Sequence, residues 1–128
     1  MLGSGVGGSG YPPGMRTLPF VLQPGGERLI AEVPTSRRER VRGLLGREEL
    51  PPGRCLLLER TRSVHTFGMR HAIRVALLDR RLSVLAVRLV PPGRLVLPRP
   101  HVRHVLECSC RTLLRPGDAL RMAGGRVD

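Results

Sequence analysis

SVHTFGMRHAIRVALLDRRLSVLAVR, residues 63–88, is the longest stretch of the chain with a clear pattern. Residues 73–78 are almost continuously apolar and residues 82–87 nearly so, while Asp79, Arg80 and Arg81 between them form a natural reversal. Runs this apolar leave little polar surface to turn toward water, so the segment predicts a core hairpin.

Working outward toward the N-terminus, residues 17–22 and 28–33 read as short strands separated by Pro24, Gly25 and Gly26. Pro34 ends the second strand, and Thr35 and Ser36 open a helix. Ser36 followed three residues later by Glu39 has the form of a capping box, in which hydroxyl and carboxylate each satisfy a backbone N–H. The helix is expected to run to about Leu45. Val41, Leu44 and Leu45 form its apolar face, Arg37, Arg38, Arg40 and Arg42 a solvated one, and Gly46 a left-handed stop. Pro51, Pro52 and Gly53 turn into a buried strand over residues 55–59, where Cys55 reads as a packed thiol rather than a nucleophile.

Beyond the hairpin, residues 95–97 make a short, proline-bounded edge, residues 102–107 a strand, residues 111–114 one helical turn and residues 119–122 a last strand. The expected fold is mainly β (α+β): a small β-barrel or two packed sheets of six or seven short strands, with one amphipathic helix in the N-terminal half. Residues 1–14, rich in Gly and Pro, read as a disordered leader that could precede a start at Met15. Residues 15–123 read as one β-rich domain and residues 124–128 as a flexible tail.

A chain of 128 residues buries roughly two-thirds of its unfolded surface on folding. Only three residues are aromatic, Tyr11, Phe20 and Phe67, so the core falls to Leu, Val and Ala and base stacking has little to draw on. A net charge of +12 calls for an anionic partner. All 22 basic residues are Arg, Asn is absent, and Gly and Pro abound, a profile that a GC-rich genome writes by itself. Whatever its origin, Arg keeps its proton and pairs bidentately with carboxylate and phosphate. Three cysteines, an odd count, do not make a disulfide framework. Residues 1–14 lack the regions of a signal peptide and no apolar run reaches membrane-spanning length, so a cytoplasmic protein without a membrane partner is expected.

Chemistry-bearing residues fall into three groups. His65, Phe67 and Met69 alternate onto one face, with Arg70, His71 and Arg74 close behind. As a pocket at a barrel mouth, His65, Phe67, Met69, Arg70 and Arg74 would favour an anionic ligand. His101, His104, Cys108 and Cys110 are zinc-type donors, and an extended chain puts His104, Cys108 and Cys110 on one face. Such a strand separates positions 104 and 110 by roughly 20 Å, so the metal is the less favoured reading and no cofactor is expected. Glu107 and Asp118, each near a chain reversal, read as structural carboxylates rather than an acid/base pair. No catalytic triad order, phosphate loop or His-Glu-x-x-His pattern is present.

Five motifs in register resemble one family, the bacterial and archaeal domain of unknown function 192: ERVRGLLGREEL over 39–50, HTFGMR over 65–70, VALLD over 75–79, HVLE over 104–107 and PGD over 116–118. The resemblance covers roughly residues 28–122 and implies a small β-rich domain with a helix near its N-terminal end and no established activity. Two positions depart from the family pattern. Arg74 stands where a carboxylate is expected, and the turn Asp79-Arg80-Arg81-Leu82 has no glycine for a positive φ, so that turn must be longer or strained. The expected function is a non-catalytic module binding a small ligand, preferably anionic, or a protein partner. The alternatives are an arginine-rich nucleic-acid-associated protein and a metal-dependent hydrolase.

Overall fold

The computed structural model describes residues 15–123. The leader expected over residues 1–14 and the tail over 124–128 lie outside the described residues. In chain order the elements are β1 (Met15–Gln23), β2 (Arg28–Pro34), α1 (Arg37–Arg42), β3 (Arg54–Leu58), β4 (Val64–His65), β5 (Ile73–Leu78), β6 (Val84–Val90), β7 (Leu95–Val96), β8 (His104–Ser109) and β9 (Ala119–Met122). The expected β-rich plan with one short helix is what the chain adopts.

Seven strands form one curled sheet in the order β9-β1-β2-β3-β8-β5-β6, and β4 pairs with β7 in a second, two-stranded sheet. Every pairing is antiparallel except that of β2 with β3. Parallel neighbours need a crossover between them, and α1 with the loop after it supplies one. The sheet curls into a half-barrel because its two edges meet at one end. There Ser83 bridges Ala119, Val84 N–H donates to the Asp118 carbonyl at 2.7 Å, and Leu120 N–H donates to the Leu82 carbonyl at 3.0 Å.

Curling gives the sheet two apolar faces. Phe20, Leu22, Ala31, Leu57, Leu106 and Leu120 fill the concave side. On the convex side Leu56, Leu58, Val75, Leu77 and Val105 are covered by Leu44 and Leu50 of the crossover and by Val96 and Val102. The central strands β3, β5 and β8 are buried on both faces, which accounts for their unbroken apolar runs.

Several local expectations change. The helix stops at Arg42, not near Leu45, because Gly43 takes φ +57° and returns its N–H to the Glu39 carbonyl at 3.1 Å. Its six residues bury nothing, Val41 is 68% exposed, and the apolar contact is made after the helix by Leu44. The hairpin turn is the longer kind: β6 begins at Val84, the Asp79 carboxylate accepts from the N–H groups of Arg81 and Ser83, both at 2.9 Å, and Leu82 carries φ +64°. An Asx-type side chain thus does the work of the missing glycine. Residues 111–114 hold no helical turn, and Leu95–Val96 pairs with β4 rather than edging the main sheet.

Candidate functional site

The convex face carries two buried acids on one row of the sheet. In register across β2, β3, β8 and β5 stand Glu32, Leu56, Glu107 and Val75. Glu32 is 2% exposed and answered by Arg47, whose Nη1 lies 2.8 Å from Oε1, with Arg54 at 3.9 Å. Glu107, 3% exposed, is answered by backbone alone. Leu44 N–H donates to Oε1 at 3.2 Å, the one hydrogen bond to this carboxyl among the described residues. Burial raises the Glu107 pKa to about 7, against the smaller downward pull of that N–H. Gly43 makes the contact possible, since a Cβ there would stand 2.8 Å from Oε1.

Glu107 borders a cleft of about 410 Å³ lined also by Arg37 and Arg40 of α1, Arg60, Ser63 and His65. The short helix buries no side chain, so its arginines are free to face the opening. Among the described residues, the guanidinium groups of Arg37, Arg40 and Arg60 make no hydrogen bond or ion pair with protein, whereas Arg42 Nε donates to the Leu45 carbonyl at 3.2 Å. His65 Nδ1 accepts from Phe67 N–H at 3.2 Å, which leaves the neutral ring's proton on Nε2. The ring stacks on Phe67 at 4.9 Å between centroids. The arrangement offers several cationic donors around one buried carboxyl that changes charge near neutrality.

The pocket expected from His65, Phe67, Met69, Arg70 and Arg74 is spread over three places. His65 borders the first cleft with Phe67 against it, 52% exposed. Met69 and Arg70 line a second cleft of about 380 Å³, with His71, Glu48 and Glu49. Arg74 binds backbone, its Nη2 donating to the Cys110 carbonyl at 2.7 Å. The alternation expected over residues 65–69 breaks down, because the strand ends at His65, residues 67–68 form a turn, and Met69 is half-buried against the convex core while His65 and Phe67 are exposed. Thr66 is the fully buried residue, its hydroxyl donating to the Pro91 carbonyl at 2.7 Å and accepting from Arg94 N–H at 2.9 Å, so His65 and Phe67 turn outward.

His104, Cys108 and Cys110 do not converge, and no group of three or more potential ligands suited to a metal occurs among the described residues. His104 Nδ1 accepts from Arg60 N–H at 3.0 Å, and burial lowers the pKa of the ring. Cys108 faces the concave core opposite Cys55, and burial, with Cys55 beside it, pushes its thiol far up. Cys110 donates to Glu49 at 3.6 Å. Asp118 is the turn residue expected, accepting from Arg115 N–H at 3.0 Å. Glu107 is not: β8 runs on to Ser109, so the acid lies inside the strand instead of ending it. Among the described residues no helix is long and apolar enough to cross a membrane.

Two crystal structures share this architecture. A "putative transcription regulator" from Sinorhizobium meliloti superposes with a TM-score of 0.71 at 20% identity, over 86% of this chain and 95% of its own. A protein of unknown function from Novosphingobium aromaticivorans superposes with a TM-score of 0.69 at 15% identity, over 87% of this chain and 89% of its own. Identities this low establish a common fold. No curated protein sequence is significantly similar to the chain. The model of the family DUF192, described as an uncharacterized ACR, matches residues 20–122, a span that runs from the second half of β1 to the end of β9 and takes in Gly43, Glu107 and every residue lining the cleft; the chain belongs to that family.

Proposed function

We propose that the protein is a binding module for a small anion, taken up in the cleft between α1 and β4. The observation that carries this reading is the set of three guanidinium groups without protein partners, Arg37, Arg40 and Arg60, at a cleft of about 410 Å³. That volume falls within the range of small-molecule sites. Arginine forks favour carboxylate and phosphate oxygens. A compositional excess of arginine explains why the residues are Arg but not why three of them, brought from α1 and the loop after β3, border one concavity. The scarcity of aromatic side chains counts against a stacking surface for single-stranded nucleic acid.

Isothermal titration with inorganic phosphate and with citrate tests the reading. Saturable binding of at least one, weakened about tenfold or more by Arg40→Ala or Arg60→Ala, is the expected result. Absence of saturable binding, or affinity untouched by both substitutions, would overturn it. Affinity that climbs with the length of an oligonucleotide while both small anions stay unbound would transfer the function to a nucleic-acid surface.

A further inference from the structure

We infer that the ligand of this cleft is a hydroxylated small anion, a phosphorylated or carboxylated polyol, whose anionic group meets Arg37, Arg40 and Arg60 while a hydroxyl donates to the Glu107 carboxyl. The inference rests on the binding reading above and adds the chemistry of the ligand's other end.

A simple anion needs only the guanidinium groups. It gives no account of an acid among them, which would repel it. Glu107 is 3% exposed, flanked in register by the uncharged Leu56 and Val75, and its carboxyl receives a single protein hydrogen bond, from Leu44 N–H. Two carboxylate oxygens have room for about four such bonds. The chain passes at glycine distance over Oε1, which fixes the carboxyl in place without completing its hydrogen bonding. The unfilled capacity is for donors, and the cleft is where a donor can arrive. Ser63 at the same opening has no hydrogen bond within the protein among the described residues, and its hydroxyl can give or take one. A group complementary to both a carboxylate and a hydroxyl is a hydroxyl, and the cationic rim selects those hydroxyl compounds that also carry negative charge.

The charged and titratable groups that line the cleft with Glu107 are Arg37, Arg40 and Arg42 from α1, Arg60 from the loop after β3 and His65 from β4. A donated hydroxyl favours the ionised acid, whose charge repels both members of a matched pair alike, so the preference for the hydroxylated anion grows as pH rises through about 7.

The test compares matched ligands: glycerol 3-phosphate against propyl phosphate, and glycerate against propionate. On the wild-type protein the hydroxylated member of at least one pair should bind about tenfold or more tightly, the worth of one hydrogen bond to a charged group. The pair with the larger preference identifies the anionic group. That preference should grow from pH 6 to pH 8, and in Glu107→Gln it should vanish while propyl phosphate or propionate still binds. Equal affinity within both pairs on the wild-type protein overturns the inference and leaves the anion site standing. A preference that persists in Glu107→Gln overturns it as well. If no member of either pair binds, the anion-binding reading itself has failed.

Discussion

Glu32 and Glu107 share one row of the convex face, yet the fold treats them differently. Glu32 meets Arg47 at 2.8 Å, whereas Glu107 is kept from water with one amide for company. For Glu107 the consequence is measurable in stability. Its pKa rises from 4.5 unfolded to about 7 folded, so the folded protein binds the proton more tightly. The stability this proton supplies is complete below pH 4.5 and is lost as pH climbs to about 7, a fall on the order of 3 kcal/mol for a shift of that size. Urea unfolding at pH 5 and pH 8 should reveal the slope, and Glu107→Gln should flatten it; a wild-type profile that rises across that interval contradicts the assignment. The cysteines make a second residue-scale test. Cys55 and Cys108 are fully buried and Cys110 is partly exposed, so a thiol reagent should modify one cysteine quickly and two only on unfolding. Fast reaction of two or three thiols in native buffer would show the concave core to be open. Cys55 and Glu107 illustrate what a sequence displays at this scale. An apolar run around Cys55 is enough to announce a buried thiol. The burial of Glu107 depends on register with β3 and β5 and on a glycine 64 positions earlier, none of which leaves a mark in the local string VLE.

At the scale of elements, the paired apolar runs of β5 and β6 were legible because both obey a local rule, and Asp79 supplied the turn that glycine did not. The helix was legible at its start and not at its end. Ser36 caps it by accepting from Glu39 N–H at 3.2 Å, but two glycines compete to stop it, and only the packing of Leu44 against the convex face selects Gly43 over Gly46. The loop after β4 carries the least legible feature. Alternation over HTFGM was expected to run through Met69, but the strand ends at His65, and a threonine beats a phenylalanine for the interior because backbone groups wait there for its hydroxyl. Thr66 also holds the loop by backbone, receiving the Gly93 and Met69 N–H groups at 2.9 and 3.1 Å. Thr66→Val should therefore cost about 2 kcal/mol despite matching in shape, since the Pro91 carbonyl and Arg94 N–H lose their partner, while Thr66→Ser keeps both bonds. The urea midpoints of the two variants decide it: a Val variant as stable as wild type would mean that water replaces the hydroxyl.

For the molecule as a whole, the dominant quantity is its charge. Ten acids among 22 arginines leave a net +12, and among the described residues Glu32 and Glu59 pair with Arg47 at 2.8 Å and Arg16 at 3.2 Å. The first of these pairs is sheltered and the second exposed, so salt weakens the second and spares the first. Against that small loss stands the repulsion among the unpaired arginines, which acts over distances that screening removes as the Debye length contracts from about 30 Å at 0.01 M to about 10 Å at 0.1 M. Repulsion has many more members than attraction, so raising sodium chloride from 0.01 to 0.3 M should raise the melting temperature. Anion binding should respond in the opposite direction, because the guanidinium groups that repel one another are the ones that attract the ligand, and chloride competes for them. Replacing Arg37, Arg40 and Arg60 together by Ala separates the two effects: affinity for phosphate should disappear, while the melting temperature at low salt should rise and depend less on salt. Stability that falls with salt in the wild-type protein would mean that its ion pairs outweigh the repulsion. A triple variant that loses both stability and binding would mean that the three arginines hold the cleft together, and the role of anion receptor would then have to be given up.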